Sequence, residues 1–260
     1  MACTWQIRVD LMVFQPKAAA KKAESFIRGY FRGAKRKKAI IGLSGGLDSA
    51  AAAALCCRAL GPKNAIGVLL PSASTPNIDI FDAQLLAKKL GMRTRAIPIE
   101  CVLRSFSPIL PSRLSRANFL ARIRMAILYS IAQEENGLVV GTGDKSEFLL
   151  GYFTKYGDGG ADLFPLGGMY KTEVRSLARH LRIPPQIIRK PSSPALYPGQ
   201  TAEGELGFAY ETADRILAGI EGGESRASLC KRFAPKTVAA ILSRMEKNRH
   251  KLFPAPICRI

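Results

Sequence analysis

The sequence predicts an α/β fold, a parallel sheet flanked by helices on both faces and followed by a helical C-terminal tail. Three observations predict it. Four short apolar runs, each bounded by charged or turn-forming residues, read as buried strands. Segments with apolar residues at helical spacing separate them, and the resulting β-α-β-α-β-α-β alternation is that of a parallel sheet. The first run leads into Ser44-Gly45-Gly46, a strand-to-helix turn where sheets of this kind bind ligands.

The elements follow in order. Residues 15–34 carry Ala19, Ala23, Phe26, Ile27 and Tyr30 at helical spacing and predict the first helix. Ala39–Leu43 is an apolar run between lysines and Ser44, hence a strand. Asp48–Leu60 is helical and stops at Gly61-Pro62. Ala65–Leu70 is the second strand, ended by Pro71. Asp79–Leu90 is a helix closed by Gly91, and Thr94–Ile99 the third strand. Residues 101–116 are ambiguous because Pro108 and Pro111 interrupt them. Asn118–Glu135 is a long helix stopped by Asn136-Gly137, and Leu138–Gly141 is the fourth strand. Residues 151–169 and 190–204 read as loops, with a helix from Lys171 to Leu181 between them that ends before Pro184-Pro185. Helices near Gly207–Leu217, Ser225–Lys231 and Lys236–Asn248 complete the chain. With no internal repeat or low-complexity linker, residues 1–260 read as one domain, a core of about 20–190 and a loop-and-helix part of about 191–260.

Composition narrows the function classes. The chain has 260 residues, with 39 Lys and Arg against 20 Asp and Glu, a net charge of +19. Such a surface attracts nucleotides, RNA or acidic membranes, and charge alone does not choose among them. The densest run, Lys35-Arg36-Lys37-Lys38 after Arg28 and Arg32, reads as a solvated helix end. Six cysteines at positions 3, 56, 57, 101, 230 and 258 form no C-x-x-C pair or disulfide framework, which suits a reducing cytosol. Two histidines make a histidine-based metal site an unfavourable reading. No apolar stretch approaches the roughly 20 residues of a membrane span, and the N-terminus lacks a signal-peptide pattern.

Ser44-Gly45-Gly46-Leu47-Asp48-Ser49 carries the chemistry. Two glycines permit a tight turn and close backbone approach, and successive N–H groups at a helix N-terminus favour an anion. Asp48 beside a phosphate requires a counter-ion, which implies Mg²⁺. The stretch is neither G-x-x-x-x-G-K-S/T nor G-x-G-x-x-G. It resembles the S-G-G-x-D-S loop of the ATP-pyrophosphatases, which cleave ATP between the α- and β-phosphates.

Three further stretches select among the chemistries that share this loop. They are Asn118-x-x-Ala121-Arg122-x-Arg124-Met125, then Val139-Val140-Gly141-Thr142-Gly143-Asp144-Lys145-Ser146-Glu147, then Gly151-Tyr152-Phe153-Thr154-Lys155-Tyr156-Gly157-Asp158-Gly159-Gly160-Ala161-Asp162. From about Lys38 to the C-terminus the chain resembles the ammonia-dependent NAD synthetases. The resemblance implies a Rossmann-like ATP-pyrophosphatase fold, ATP and Mg²⁺, and a carbon–nitrogen ligase. Asp48 and Glu147 would hold Mg²⁺, with Asp48 and Lys171 central to catalysis. Gly42, Leu43, Ser44, Gly45, Gly46, Leu47, Asp48, Ser49, Thr142, Lys171 and Ser193 would contact ATP. Arg122, Lys155, Asp162, His250 and Lys251 would contact deamido-NAD, whose pyrophosphate and carboxylate suit basic groups. A homodimer in the cytoplasm is also implied.

Each residue has a plainer reading. Arg122 and Arg124 suit a solvated helix face, Glu147 an ordinary first-turn acid, Lys155 and Asp162 loop charges, and His250-Lys251 a frayed helix end. What sets these aside is that all occur together, in order, on the expected elements. Two positions depart from the family pattern: Ala202 where an acid is usual and Leu252 where a basic residue is usual. The Pro191–Ala195 loop is also a variant, which weakens the transfer to Ser193. The motifs start by about residue 38, which leaves no room upstream for a glutamine-hydrolysing domain, so the expected nitrogen donor is ammonia, free or from a separate amidase. Two alternatives share the loop. A tRNA-modifying ATP-pyrophosphatase suits the charge, but its typical paired cysteines are missing and nucleic acid is not expected. A non-catalytic nucleotide sensor suits Ala202 and Leu252 but leaves Asp48, Glu147 and Lys171 unexplained.

Overall fold

The computed structural model describes residues 14–197 and 199–258; Cys3 and the signal-peptide expectation for the leading residues lie outside them. Four strands, β1 (Lys38–Gly42), β2 (Ala65–Leu69), β3 (Arg93–Ala96) and β4 (Gly137–Val140), form one sheet in the order β3-β2-β1-β4. Every pairing is parallel, with Ile40 of β1 opposite Ile66 of β2 and Val139 of β4. The chain leaves β1 toward β2 and β3 and later returns to β4 on the other side. The carboxyl end of β1 is therefore the switch point where a crevice opens.

Alternation along β1 divides the core. Ala39 and Ile41 face one side, with α1 (Pro16–Gly33), α2 (Leu47–Leu60), α3 (Asn77–Leu90) and α7 (Lys171–His180). Ile40 faces the other, against α5 (Arg113–Glu134) and α4 (Glu100–Ser105). Ala50 to Cys57 of α2 are all buried, and their small side chains let this helix lie close beneath its neighbours. A third apolar cluster joins α6 (Lys145–Leu150) to the C-terminal helices α9 (Ala202–Leu206), α10 (Tyr210–Glu221), α11 (Arg226–Arg232) and α12 (Pro235–Asn248).

The expected elements are present, with three differences. The ambiguous stretch after residue 100 resolves into α4, a 3-10 turn at Ser107–Ile109, and an early start of α5 at Arg113. Ser112 and Ser115 cap that start reciprocally, using hydroxyls in the roles usually given to Ser and Glu. Pro184-Pro185 ends α7 but also begins a short helix, α8 (Pro185–Arg189), because proline is tolerated in a first turn that needs no N–H. The expected 190–204 loop gives way to α9 at its end, where Thr201 accepts from the Gly204 N–H. No helix among the described residues is long and apolar enough to cross a membrane.

Candidate active site

The carboxyl ends of β1, β2 and β4 open into a cavity of about 810 Å³. Its floor is the turn between β1 and α2. Ser49 Oγ lies 3.0 Å from Ser44 Oγ and donates to the Gly46 carbonyl at 3.0 Å, while the Gly46 N–H donates to Ser44 Oγ at 3.2 Å. Gly45 has φ +76°, and a Cβ there would fall 2.1 Å from the Asp79 carbonyl oxygen. Both conformation and space therefore require glycine. The turn runs into the N-terminus of α2, whose free N–H groups suit an anion.

Beside this floor lie four charged groups from three helix starts. Lys171, the first residue of α7, is 0% exposed. Its Nζ lies 2.7 Å from Asp48 Oδ2, 2.8 Å from Asp144 Oδ2 and 2.9 Å from Glu147 Oε1. Asp144 and Glu147 cap α6 reciprocally, since Asp144 Oδ1 accepts from the Glu147 N–H at 2.8 Å and Glu147 Oε2 from the Asp144 N–H at 3.3 Å. Buried Asp214 fixes the start of α7, accepting from the Thr172 N–H at 2.9 Å and from Ser146 Oγ at 2.5 Å, while Ser146 Oγ accepts from the Lys171 N–H. The Tyr210 ring lies under the ammonium, its centroid 5.2 Å away.

Three carboxylates around one ammonium leave an excess of negative charge in a buried place. Burial pushes the Asp144 carboxyl up to about 6 against the pull of Lys171. Burial, with the neighbouring carboxylates, likewise holds Glu147 well above the usual range. Burial works against the Lys171 charge, but the carboxylates outweigh it and keep its pKa well above the ordinary value. Ligand oxygens of Asp48, Asp144 and Glu147 lie within 4.8 Å of one another, and Asp48 Oδ1 is buried without a hydrogen-bond partner. Hard oxygen donors, unsatisfied charge and an orphaned oxygen fit a divalent cation such as Mg²⁺.

The remaining expected residues fall into three places. Gly42, Leu43, Ser44, Asp48, Ser49, Thr142, Glu147, Ser193 and Lys251 line the cavity. Gly45, Gly46 and Leu47 form the turn beneath it. A second group is engaged by backbone. Lys155 Nζ donates to the carbonyls of His250 (2.9 Å) and Phe253 (2.7 Å). Lys251 Nζ donates to those of Gly151 and Phe153. These bonds clasp the C-terminal segment to the glycine-rich loop. Asp162 Oδ2 accepts from the Val139 N–H at 2.7 Å, holding the loop to β4. Among the described residues the exposed His250 ring meets only the Lys247 carbonyl, at 3.2 Å. Third, Arg122 is exposed outside the cavity, and its guanidinium donates to the Lys155 carbonyl at 3.4 Å.

The cavity wall is instead lined by Arg124, two residues along α5. Its Nε donates to the Leu70 carbonyl at 3.3 Å, and burial lowers its pKa to about 10 although Asp158 opposes the shift. Sequence reasoning also left out Asp144, Tyr210 and Asp214. For Asp144 a signal existed, the i, i+3 pairing of two acids at one helix start. For Tyr210 and Asp214 none did, because they reach the site from α10 across the fold. At the departures, Ala202 is buried against the cavity and its N–H donates to the Ser192 carbonyl at 2.8 Å, while Leu252 is exposed.

Comparison with known proteins follows the same lines. Residues 19–255 match the NAD synthase family. Over 212 residues the chain is 45% identical to the NH(3)-dependent NAD(+) synthetase of Hyperthermus butylicus, covering 80% of this chain and 77% of that protein. Two solved structures superpose on 95% of this chain and 100% of their own, each at 31% identity. They are an NMN synthetase from Francisella tularensis, with a TM-score of 0.86, and an NH3-dependent NAD synthetase from Campylobacter jejuni, at 0.83. An anion-binding turn beside a metal-competent carboxylate cluster, set in a cavity with this sequence kinship, leads to one conclusion: the chain belongs to the NAD synthase family.

Proposed function

We propose that this chain is an ammonia-dependent NAD synthetase that converts deamido-NAD to NAD with ATP, releasing AMP and pyrophosphate. The observation that carries the reading is the juxtaposition of the Ser44–Ser49 turn with Asp48, Asp144, Glu147 and Lys171 at the mouth of the parallel sheet. Such a site, with a divalent cation on its carboxylates, would neutralise a leaving pyrophosphate, the requirement of adenylation. The family match does not favour a tRNA-modifying enzyme or a silent sensor.

A carboxylate resists amines because its oxygen leaves poorly, and adenylation replaces it with AMP. One carboxylate oxygen of the nicotinate ring attacks the α-phosphorus and pyrophosphate departs. Ammonia then attacks the acyl carbon, AMP leaves, and the nitrogen loses a proton. When bound, Mg²⁺ at Asp48, Asp144 and Glu147 supplies charge to the triphosphate. Backbone N–H groups of the Ser44–Ser49 turn donate to phosphate oxygens, and Lys171 from beneath offsets the charge of Asp48, Asp144 and Glu147. Arg124 and Lys251, which line the cavity, place positive charge beside the dinucleotide, Thr142 and Ser193 present hydroxyls toward ATP, and Lys155 holds the C-terminal segment in place. Alignment of the two anions is worth about 7–11 kcal/mol of the barrier. Residues of the 151–160 loop and of the Ser192–Tyr197 stretch, which line the cavity, exclude water from the adenylate. The nitrogen donor is ammonia, free or from a separate amidase. The five described cysteines are free, which suits the cytoplasm.

The likeness to an NMN synthetase supplies a second acceptor to test, the nicotinate mononucleotide. Purified chain, ATP, Mg²⁺ and ammonium with either acceptor should give equal NAD and AMP with deamido-NAD. That activity should be lost in Asp48→Ala. Faster turnover of the mononucleotide would reassign the substrate, and no AMP with either acceptor from folded protein would overturn the enzymatic reading.

A further inference from the structure

Lys190, which no motif singled out, joins three parts of the site. Its Nζ lies 2.6 Å from Asp79 Oδ1 and 2.7 Å from Asp82 Oδ2, and donates to the Gly45 carbonyl at 3.1 Å. Asp79 and Asp82 sit at i and i+3 on the first turns of α3, both buried. Among the described residues Asp82 Oδ1 has no hydrogen-bond partner, and Lys190 is the one cation paired with that carboxylate. Lys190 also opens the 190–201 segment, which forms one wall of the cavity from Ser192 to Tyr197.

The bond to Gly45 has a geometric consequence. In a trans peptide the C=O and the following N–H point in opposite directions. A Gly45 carbonyl held by Lys190 therefore turns the Gly46 N–H to the other side, where Ser44 Oγ now accepts from it. Glycine at φ +76° flanked by a second glycine has little intrinsic preference against a peptide flip. Flipped, the peptide would present a carbonyl oxygen to the anion in place of an N–H. Without Lys190, two buried carboxylates beneath the turn would also lack their cation, and Asp79 lines the cavity.

We propose that Lys190 is the positioning residue of the anion-binding turn, holding the Gly45 carbonyl away from the triphosphate while cancelling charge on Asp79 and Asp82. The proposal rests on the reading above only in taking ATP as the anion. It predicts that Lys190→Met weakens ATP binding, measured by calorimetry with Mg²⁺ and no acceptor, by roughly 10- to 100-fold. The KM for the dinucleotide should stay within about threefold, a split that general loosening of the fold would not give. Lys190→Arg, which keeps charge and donor, should recover most of the affinity. Lys190→Met/Asp82→Asn should recover the part due to charge and not the part due to the peptide. If Lys190→Met does not fold, that double variant carries the test, because it relieves the uncompensated carboxylate while still lacking the bond to Gly45. ATP affinity within twofold of the parent in a folded variant lacking Lys190 would overturn the proposal. Because the acceptor is absent from the calorimetry, a wrong acceptor assignment leaves this result intact.

Discussion

Asp144 shows how one residue carries two jobs and why sequence reveals only one. Its Oδ1 caps α6 through the Glu147 N–H, a role that D-x-x-E at a helix start announces and that needs no metal. Its Oδ2 faces Lys171 and belongs to the carboxylate cluster, which becomes visible only when α7 is folded against α6. Asp48, Glu147 and Lys171 were legible because the family motifs carry them, and Asp144 stood between them unassigned. Its pKa has a testable consequence. Burial raises it from 3.8 to about 6, so the folded chain holds this proton more tightly than the unfolded chain does. Stability from this group is present below its ordinary value and lost as pH rises through about 6. A divalent cation requires the deprotonated form and reverses the penalty. Mg²⁺ should therefore raise the unfolding temperature clearly at about pH 7.5 and little at about pH 5. Asp144→Asn should flatten the metal-free pH dependence and shrink the Mg²⁺ effect. An equal Mg²⁺ shift at both pH values would contradict the assignment.

At the scale of elements, legibility follows locality. The strand, turn and helix around Ser44–Ser49 were readable because six consecutive residues contain the whole device: two glycines, two hydroxyls and a first-turn acid. The short helices α8 and α9 were not, because five residues offer no period and their prolines and glycines argue for loop. Nor was the approach of α3 to the turn, where Gly45 lies directly on the Asp79 backbone. That contact leaves no room for a side chain at Gly45. Gly45→Ala adds a methyl at φ +76° and drives it into a backbone carbonyl that cannot rotate away. The variant should lose roughly 2 kcal/mol or more of stability in denaturant unfolding. It should also bind ATP poorly even where folded, since the turn must shift to relieve the clash. Gly61→Ala, with φ +84° but open space around its Cβ, separates the two causes. It should cost stability through conformation alone and leave ATP binding unaltered. Equal ATP affinity in both variants would show that the contact with α3 does not shape the turn.

At the scale of the molecule, Arg122 and an uncovered apolar surface are best understood together. Arg122 was expected to contact substrate, yet in one chain it lies exposed outside the cavity, while Arg124 takes the cavity wall. Leu114, two turns earlier on the same stripe of α5, is 70% exposed. Val102, Phe106 and Ile109, from α4 and the following 3-10 turn, are exposed nearby in sequence. Leu114 also lines the cavity, and exposed apolar residues this close to it in sequence are a surface that a second copy of the chain would cover. The expectation is a homodimer in which Arg122 of each subunit reaches toward substrate held by the other. Sedimentation should show a dimer for the parent chain and a monomer for Ile109→Glu/Leu114→Glu, because each interface, taking two from each subunit, would have to bury four carboxylates without partners. Subunit mixing gives the sharper result. Arg122→Ala and Lys171→Met should each be nearly inactive alone. Mixed after dissociation, they should regain up to about a quarter of parental activity, since half of the dimers are mixed and each mixed dimer holds one intact site. Activity recovered on mixing places Arg122 across the interface. A dimer whose mixed forms stay inactive would place Arg122 in its own subunit's site, brought there by movement of α5.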